Sequence, residues 1–557
     1  MMIYLFKASN IEKFFRLPTN YCELPTHLAK GASIRSLAEK PHENNPDLPG
    51  IRILSPGAQR NEMNASQYLA ASCLFFLIQS LCGLVSAQSG ESAEQNQPAG
   101  RPNIIFMMAD DQGWGGTSVQ MHPAVADSRS KIFRTPNLES LSNEGMRFSQ
   151  AYAPASVCAP TRLSILNGQS PAANHWTKVA SGLRSLRNPK MWPPEQVRRI
   201  DTKDVTFAEL LQSSGYRTSH YGKWHIGGGG PGKHGFDEHD GDIGNEYAER
   251  FTDPNPVDIF GMCERAEKFM AESRDAGKPF YIQLSWHALH SPWNALKKTT
   301  DKYRNSRGRQ SRFAAITEDL DTGVGRILES VDKLDLRRNT WVIYTSDNGS
   351  GSSQVLAGGK GSLWEGGIRV PMIVRGPGVE ANSWCHTPVV LSDMYPTFCE
   401  WAGVELPEKA VEQVEGGSIV SLLNDPDKGQ VSRARKELYF HFPNYQTSDG
   451  PHSAIIADEY KLVHFWETGD SRLFNLASDI QEKKDLAAEK KDLVADLEAR
   501  LKKYLEDVDA HMAAPNPKYD PNVATQTGQR GGGGQRGGRQ RRGMRGGRGR
   551  GNGRPQR

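Results

Sequence analysis

Cys158, Pro160 and Arg162 stand close together in the run SVCAPTRLSILNG, which ends at Gly168. Proline lacks an N–H and has a preset φ, so it suits the first turn of a helix, and glycine is typical of a helix end. Cys158 is therefore predicted to lie at a helix N-terminus, where unpaired N–H groups and the helix dipole favour an anion. A reactive side chain there would act on an anionic substrate; the alternative is a cysteine in an ordinary loop before a short helix.

Two pairs of neighbouring residues offer oxygen ligands only. Asp110 and Asp111 follow the apolar run NIIFMMA, and Asp347 and Asn348 follow the run WVIYTS. Carboxylates on adjacent residues repel each other, so a cation between them is favoured, with a solvated acidic turn as the alternative for either pair alone. Because no histidine or thiolate is among these ligands, the set suits Ca²⁺ or Mg²⁺ far better than Zn²⁺.

Helical segments alternate with apolar strands along residues 101–430, which predicts a largely parallel sheet covered by helices on both faces. In such sheets ligands lie beyond the carboxyl ends of the strands. The candidate residues that come just after predicted strands are Asp110, Asp111, Lys223, His225, His290, Asp347 and Asn348. We therefore expect these side chains to meet at one edge of the sheet.

The pattern changes near Glu437, where short strands of alternating polarity are separated by turn residues and followed by a helix over Lys490–Leu505. This pattern predicts a small antiparallel sheet with a packed helix. The predicted fold class is therefore α/β: a large, mostly parallel mixed sheet sandwiched by helices, plus this small C-terminal antiparallel sheet.

Further sequence blocks follow in an order typical of one family. GKWHIG supplies Lys223 and His225, WHALHSP supplies His290, and GGKGSLWEGGIRVP supplies Lys360. With the Cys-x-Pro-x-Arg motif and the two oxygen-ligand pairs, these blocks resemble the type I, formylglycine-dependent sulfatases. Within the alkaline-phosphatase-like superfamily, the likeness is to arylsulfatases and N-acetylgalactosamine sulfatases, and it extends from residue 101 to about residue 505.

The resemblance implies that a formylglycine-generating enzyme oxidises Cys158 to formylglycine, an aldehyde that hydrates to a geminal diol. One hydroxyl would attack sulfur to form a covalent sulfo-enzyme intermediate. The other would lose a proton, so that the aldehyde re-forms and sulfate leaves. A serine would lack this exit, so covalent catalysis would stall after its first step.

Roles for other residues come from the same resemblance. Arg162 and Lys223 would hold the diol and its charge, and His225 would take the proton when the diol collapses. Lys360 and His290 would bind the sulfate group, with His290 protonating the leaving alcohol. A single Ca²⁺, or less favourably Mg²⁺, would be held by Asp110, Asp111, Asp347 and Asn348.

The implied activity is that of a sulfuric ester hydrolase acting on a sulfated saccharide or an aryl sulfate. Among sugars, galactose or N-acetylgalactosamine sulfates are favoured. The candidate substrate contacts are His175, Trp176, His441 and His452, for which core or surface roles are the alternative. His287 is interpreted as a core histidine or as one that lies behind the site.

Two alternative functions remain open. A phosphatase, or a phosphonate or phosphodiester hydrolase, of the same superfamily would typically use a serine or threonine nucleophile and two metals with several histidine ligands. A sulfated-glycan-binding or nucleic-acid-binding protein would act through the C-terminal tail rather than through Cys158.

The N-terminal region predicts export. An apolar run from Leu69 to Val85 ends in VSAQSG, which is typical of a signal peptide with its cleavage site, and an uncleaved membrane anchor is the alternative. We interpret residues 63–87 as a signal peptide, residues 1–62 as an over-extended start without an assigned fold, and residues 88–100 as a linker. Export would place the protein in the periplasm or outside the cell.

The chain has seven cysteines, and three of them fall in segments predicted to be absent from the mature protein: Cys22, Cys73 and Cys82. With Cys158 as the modified residue, at most one disulfide can form among Cys263, Cys385 and Cys399. The favoured pair is Cys385 with Cys399.

Charge is unevenly distributed along the chain. Residues 528–557 carry ten arginines and no acidic residue, whereas the first 527 residues contain 58 basic and 64 acidic residues.

We predict a catalytic domain over residues 101–430, a C-terminal α+β subdomain over 431–510, and a disordered tail over 511–557 that is Gly/Arg-rich from 528. The tail has the composition to contact a polyanion, such as a sulfated glycan, although a solvated tail without a partner is the alternative. RGG-like segments can bind nucleic acid, but no stable nucleic-acid complex is expected.

Overall fold

The computed structural model describes residues 100–179, 186–304, 309–350, 355–524 and 526–527. The predicted over-extended start, the signal peptide and the Gly/Arg-rich tail lie outside the described residues. Among the described helices, none combines the length and the apolar character that a membrane crossing requires.

The strands, in chain order, are β1 (Asn103–Ala109), β2 (Met146–Phe148), β3 (Ala151–Tyr152), β4 (Leu186–Arg187), β5 (Met191–Trp192), β6 (Arg217–Gly222), β7 (Glu238–His239), β8 (Phe280–Ser285), β9 (Thr340–Ser346), β10 (Ile373–Arg375), β11 (Ser383–Cys385), β12 (Val389–Val390), β13 (Leu438–Phe442), β14 (His452–Ala457), β15 (Tyr460–Phe465), β16 (Ser471–Asn475), β17 (Ala514–Pro515) and β18 (Gln526–Thr527). The α-helices are α1 (Pro136–Asn143), α2 (Cys158–Asn167), α3 (Phe207–Ser213), α4 (Ile259–Asp275), α5 (Lys297–Lys302), α6 (Arg309–Lys333), α7 (Glu365–Ile368), α8 (Met394–Ala402), α9 (Glu408–Gln413), α10 (Val420–Asn424) and α11 (Lys491–Asp507).

Eight strands form the large sheet in the order β11-β2-β10-β9-β1-β8-β6-β7. The strands β9, β1, β8, β6 and β7 run parallel to one another, and β10 is antiparallel to both of its neighbours. The predicted fold, a large and mostly parallel mixed sheet, is therefore confirmed.

Every residue of the central strand β1 is buried. Because alternate side chains of a strand point to opposite faces, β1 contributes to a core layer on each face of the sheet. Ile104 and Phe106 pack into a core layer shared with α3 and α8. Ile105 and Met107 pack into the opposite layer, which is shared with α1, α4 and α6. The two core layers pack on opposite faces of the strands. The candidate site residues follow the carboxyl ends of these strands.

The strands β13, β14, β15 and β16 form a separate antiparallel sheet, as predicted. Leu497 and Leu501 of α11 pack with Ile455 and Leu462 of this sheet. The predicted C-terminal sheet with a packed helix is confirmed, and α11 lies within about two residues of its predicted bounds.

The predicted disordered tail begins too early in the chain. β17 pairs with β5 and β18 pairs with β4, and the backbone N–H of Asn516 donates to the carbonyl oxygen of Lys190 at 3.0 Å. Composition missed this segment because backbone pairing rather than a run of apolar side chains holds it. Backbone pairing therefore extends as far as β18 (Gln526–Thr527).

The favoured disulfide is also wrong. Cys385 and Cys399 are free thiols, and so is Cys263. Cys385 on β11 and Cys399 on α8 are buried in the same apolar layer, where each behaves as a small apolar side chain.

A glycine at the end of β6 generates a stability prediction. Gly222 has a φ of 93°, and a β-carbon there would lie 2.2 Å from the carbonyl oxygen of Ser285. Gly215 has a nearly identical φ of 95°, yet a β-carbon there would have nothing within 4 Å. We expect Gly215→Ala to cost about 1 kcal/mol of unfolding free energy because of the positive φ alone. Gly222→Ala should cost roughly 3 kcal/mol or more because the backbone must also move.

Urea denaturation of the two variants measures this difference, and equal losses would contradict the close packing described at Gly222.

Candidate active site

Cys158 is the first residue of α2, as predicted. The preceding Val157 is extended, and the helix ends at Gly168, whose φ of 72° is left-handed. Only 1% of the Cys158 side chain is exposed. Its Sγ lies 3.2 Å from Lys360 Nζ and 3.4 Å from Asp110 Oδ1. The thiol therefore sits at a helix N-terminus between a cation and a carboxylate.

Arg162 lies one helical turn after Cys158, so both side chains project from the same face of α2. Its guanidinium donates to Asp347 Oδ2 from Nε at 3.1 Å and from Nη2 at 2.7 Å. Its Nη1 donates to the carbonyl oxygen of Lys223 at 2.6 Å. The Cys-x-Pro-x-Arg spacing thus places a buried cation behind the thiol.

Three carboxylates converge on the thiol. Suitable ligand atoms of Asp110, Asp111, Asp347 and Cys158 all lie within 4.8 Å of one another. Asp111 has a left-handed φ of 63°, a conformation that is uncommon outside glycine and typical of constrained sites. The two sequence-predicted pairs are therefore brought together across the sheet.

Asn348 completes the cluster and shows that it suits a cation. Its Nδ2 donates to Asp111 Oδ1 at 2.8 Å and to the carbonyl oxygen of Gly349 at 2.9 Å. Its Oδ1 is buried and has no hydrogen-bond partner. A buried acceptor without a partner is costly, and a hard cation would satisfy it together with the carboxylates.

The positive charges around this cluster come from Arg162, Lys223 and Lys360. The Lys223 ammonium contacts Asp110, and the Lys360 ammonium contacts Asp111. Burial alone would raise the pKa of Asp110, but Lys223, followed by His290 and Arg162, holds it well below its usual value. Burial raises the pKa of Asp347, and the charge on Asp110 adds to that rise. Arg162 and Lys223 only partly oppose that rise, and a bound cation would favour the charged form of both carboxylates.

The same surroundings make the unmodified thiol a poor nucleophile. Burial raises the pKa of Cys158 to about 12, with Asp110 and Asp347 adding to the shift. Lys223 and Lys360 only partly oppose it. Because the thiolate is the reactive form of cysteine, Cys158 is inert as a thiol at neutral pH.

Two histidines lie near the cluster, His225 and His290. Burial, followed by Lys223 and Arg162, lowers the pKa of His225 to about 2, and its Nδ1 is buried without a partner. The His225 ring is therefore neutral at pH 7. His290 is half-buried, and its Nδ1 donates to the carbonyl oxygen of Ser291 at 2.8 Å.

His287 lies behind this region, which agrees with its interpretation from the sequence. It is 2% exposed, its ring stacks on Tyr247 at a centroid distance of 5.9 Å, and neither ring nitrogen has a hydrogen-bond partner. Burial lowers its pKa to about 3, so the ring is neutral.

The four predicted substrate contacts have other partners in the structure. Trp176 is a core residue whose Nε1 donates to Lys178. His441 is buried against Ser453 and the backbone of His511, and His175 stacks on the His511 ring at 3.9 Å. His452 is fully buried and bonded to backbone at both ring nitrogens. These contacts favour core and structural roles over substrate binding.

Sequence reasoning missed a buried ion network beside the Lys360 segment. Lys461 lies 2.8 Å from both Glu365 and Glu482, and Arg369 pairs with Glu365. The available signal was Lys461 itself, which occupies an inward-facing position of the apolar strand YKLVHF.

Fold and site together define an alkaline-phosphatase-like hydrolase, with a catalytic group and an oxygen-ligand cluster at the carboxyl edge of a mixed sheet. The chain belongs to the sulfatase family, whose model matches residues 102–404. A second family model, N-sulphoglucosamine sulphohydrolase, C-terminal, matches residues 359–511. The protein is therefore a sulfuric ester hydrolase.

Relatives and solved structures agree with this assignment. A protein named "Sulfatase" from Formosa agariphila is 28% identical over 73% of this chain and 87% of its own length. N-acetylgalactosamine-6-sulfatase from Rattus norvegicus is 30% identical over 60% of this chain and 67% of its own length. The crystal structure of Ps i-CgsB, which has also been solved in complex with k-i-k-neocarrahexaose, has a TM-score of 0.61 and 25% identity and covers 73% of this chain and 93% of its own.

The raised pKa of Cys158 predicts how its unconverted thiol reacts. In metal-free protein made without the modifying enzyme, alkylation by iodoacetamide should rise about tenfold per pH unit from pH 7 to 10 without a plateau. Peptide mass spectrometry measures the alkylated fraction. The same protein unfolded in urea is the control, because its thiol should level off near its ordinary pKa. A plateau below pH 9 in the folded protein would contradict the electrostatics described here.

Proposed function

We propose that this protein is an exported sulfatase that removes sulfate from sulfated saccharides, with Cys158 converted to formylglycine by a dedicated enzyme and one Ca²⁺ bound beside it. The proposal rests on the contrast between the unreactive Cys158 thiol and the charged groups that surround it. A fully buried thiol with a pKa of about 12 is surrounded by cations and hydrogen-bonding groups suited to an oxygen nucleophile and an anionic substrate.

The hydrated aldehyde supplies one hydroxyl to attack sulfur and a second whose deprotonation releases sulfate. The Sγ atom stands for one of these hydroxyl oxygens. Lys360 Nζ, 3.2 Å from Sγ, is placed to donate to that oxygen or to a sulfate oxygen. Arg162 and Lys223 supply fixed positive charge that needs no rearrangement as negative charge develops.

Two histidines are proposed to transfer protons. We assign acceptance of the proton of the second hydroxyl to His225, whose buried Nδ1 has no hydrogen-bond partner. Its pKa near 2 makes it a weak base until negative charge develops beside it. His290, which is half-buried, is proposed to protonate the leaving alcohol.

Asp110, Asp111, Asp347 and Asn348 fit a single Ca²⁺. When bound, the ion would stabilise negative charge on the sulfuryl oxygens. Ca²⁺ is preferred to Mg²⁺ because the site offers several buried protein oxygens, whereas Mg²⁺ usually retains several waters. The phosphatases of the superfamily typically use two metals with histidine ligands, and the cluster found among the described residues holds carboxylates and one thiol instead.

The proposed saccharide substrate rests on the relatives and on one loop. One relative is an N-acetylgalactosamine-6-sulfatase, and Ps i-CgsB has been solved with k-i-k-neocarrahexaose. The loop between β13 and β14 reaches the site: a β-carbon added at Gly361 would lie 2.5 Å from the Gln446 side chain. Gln446 therefore lies next to the residue that follows Lys360, and the loop is placed to contact a sugar.

Export rests on the predicted signal peptide over residues 63–87. Polyanion contact by the Gly/Arg-rich tail is a separate prediction from composition, and turnover does not depend on it.

Protein co-expressed with the modifying enzyme should hydrolyse 4-nitrophenyl sulfate in strong preference to 4-nitrophenyl phosphate. Cys158→Ala should lower kcat/KM for the sulfate by at least roughly 10³-fold, because it removes the nucleophile. Cys263→Ala is the matched control, since Cys263 is an equally buried thiol in the other core layer. A phosphate preference, or an active Cys158→Ala variant, would refute the proposed function.

Ca²⁺ should stabilise the folded protein by about 2.7 kcal/mol when its free concentration is a hundred times its Kd. Thermal unfolding after EDTA treatment, with Ca²⁺ or Mg²⁺ restored, measures this effect. Asn348→Leu removes the unpartnered oxygen without changing the charge, so it should abolish most of the Ca²⁺ response. An unchanged response in that variant would show that the ion binds elsewhere.

A further inference from the structure

The segment that carries Lys360 is rich in glycine and needs external contacts to hold one conformation. We call residues 357–364 the Lys360 loop. Gly358 and Gly361 have positive φ values of 70° and 86°. Glycine loses more backbone freedom on ordering than other residues, so a loop of this composition does not rigidify itself.

The catalytic domain holds the Lys360 loop from one side. The N–H of Gly361 donates to the carbonyl oxygen of Ser156 at 2.9 Å, two residues before Cys158. The N–H of Gly366, just after the loop, donates to the carbonyl oxygen of Ala357 at 2.7 Å. Within the loop, the N–H of Ser362 donates to the carbonyl oxygen of Gly359 at 3.0 Å, and the N–H of Gly359 donates to Ser362 Oγ at 3.2 Å. The N–H groups of Leu363 and Glu365 bond outside the loop.

The C-terminal sheet holds the loop from the other side through His452 of β14. The His452 ring accepts the N–H of Leu363 at its Nε2, at 3.0 Å. Its Nδ1 lies 2.7 Å from the carbonyl oxygen of Gly450 and must donate, because a carbonyl oxygen only accepts. The contact with Gly450 therefore sets the tautomer that leaves Nε2 free to accept from Leu363.

Lys461 of the neighbouring strand β15 makes the second contact. Its ammonium lies 2.8 Å from Glu365 Oε1 and 2.8 Å from Glu482 Oε1, and its side chain is fully buried. Glu482 Oε2 also accepts the backbone N–H of Glu365 at 2.7 Å. The residue after the Lys360 loop is thus fixed by both its side chain and its backbone.

Glu365 also connects the sheet to the nucleophile side of the site. The Tyr152 hydroxyl donates to Glu365 Oε2 at 3.1 Å, and Arg369 donates to the same oxygen and to Tyr152. Tyr152 lies on β3, which leads to Cys158. One buried network therefore joins β3, the end of the Lys360 loop and β15.

We propose that His452 and Lys461 are positioning residues that hold the Lys360 ammonium against Cys158 and Asp111 through the backbone of the Lys360 loop. This inference rests on the proposed function, because Lys360 matters only where charge on the substrate must be stabilised. The C-terminal sheet is then part of the catalytic apparatus rather than an appended module. A displacement of about 1 Å at a reacting group can cost about 10²-fold in rate.

Two substitutions at position 452 separate the contact with Leu363 from the contact with Gly450. In His452→Gln the side-chain oxygen can replace Nε2 and accept from Leu363. In His452→Asn the shorter amide can replace only Nδ1 and donate to Gly450. We expect His452→Asn to lower kcat/KM for 4-nitrophenyl sulfate by about 10- to 100-fold, and His452→Gln to remain within about threefold of the unsubstituted protein. Formylglycine content is measured by mass spectrometry in each variant and used to normalise the rates.

A double-mutant cycle with Lys360→Met distinguishes positioning from general destabilisation. If His452 acts through Lys360, the loss caused by His452→Asn should shrink to less than about threefold once Lys360 is gone. A loss of the same size in both backgrounds would overturn the inference, as would equal losses in His452→Asn and His452→Gln.

The same double-mutant cycle can be measured without catalysis. The measured quantity is then the rate at which the unconverted Cys158 thiol is alkylated in each variant. Lys360 lies 3.2 Å from Sγ and favours the thiolate. His452→Asn should therefore slow alkylation as Lys360→Met does, and the double variant should be no slower than either. If the unsubstituted protein hydrolyses no sulfate ester, the proposed function fails, and the thiol cycle alone decides this inference. Independent effects of the two substitutions on the thiol would overturn it.

Discussion

The site depends on the parallel pairing of β1 with β9. Ala109 lies opposite Ser346 in that register, so Asp110 and Asp347 emerge side by side although 236 residues separate them in the chain. Asp110 and Asp347 each offer a carboxylate oxygen, and these oxygens lie within 4.8 Å of each other. Two buried carboxylates this close repel each other and lose their hydration. Arg162, Lys223 and Lys360 supply the positive charge that makes this arrangement tolerable.

The compensating groups come from different parts of the fold. Arg162 is delivered by α2, Lys223 follows β6 at the same edge of the sheet, and Lys360 arrives on a loop that the C-terminal sheet helps to hold. Burial and the charges of Asp110 and Asp347 account for the inert thiol, and Lys223 and Lys360 only partly oppose them. Burial, followed by Lys223 and Arg162, accounts for the neutral His225. A pocket organised in this way favours an anionic substrate and a bound cation over a thiolate nucleophile.

Much of this arrangement could be predicted from the sequence because it follows from local rules. Strand-end position predicted that Asp110 and Asp347 would meet, and the proline, arginine and glycine spacing predicted the helix that begins at Cys158. Family resemblance added Lys360, which no local pattern connects to Cys158. The antiparallel sheet and its helix followed from alternation and periodicity.

The remaining features depend on tertiary packing, which local patterns do not encode. His452 was a candidate substrate contact with a core or surface role as the alternative, and its partners are the backbones of Gly450 and Leu363. Cys385 and Cys399 were the favoured pair among the three remaining cysteines, yet both are free thiols buried in the core. Residues 511–524 were predicted to be disordered, but β17 within them pairs through its backbone with β5, which is distant in the chain.

The central claim is that residue 158 acts as a hydrated aldehyde rather than as a thiol. Peptide mass spectrometry of active protein from its native host tests it most directly. We predict that the peptide containing position 158 is lighter than the unmodified peptide by about 18 Da, and that specific activity rises in proportion to the converted fraction. Full activity from protein whose Cys158 remains an unmodified thiol would contradict the account.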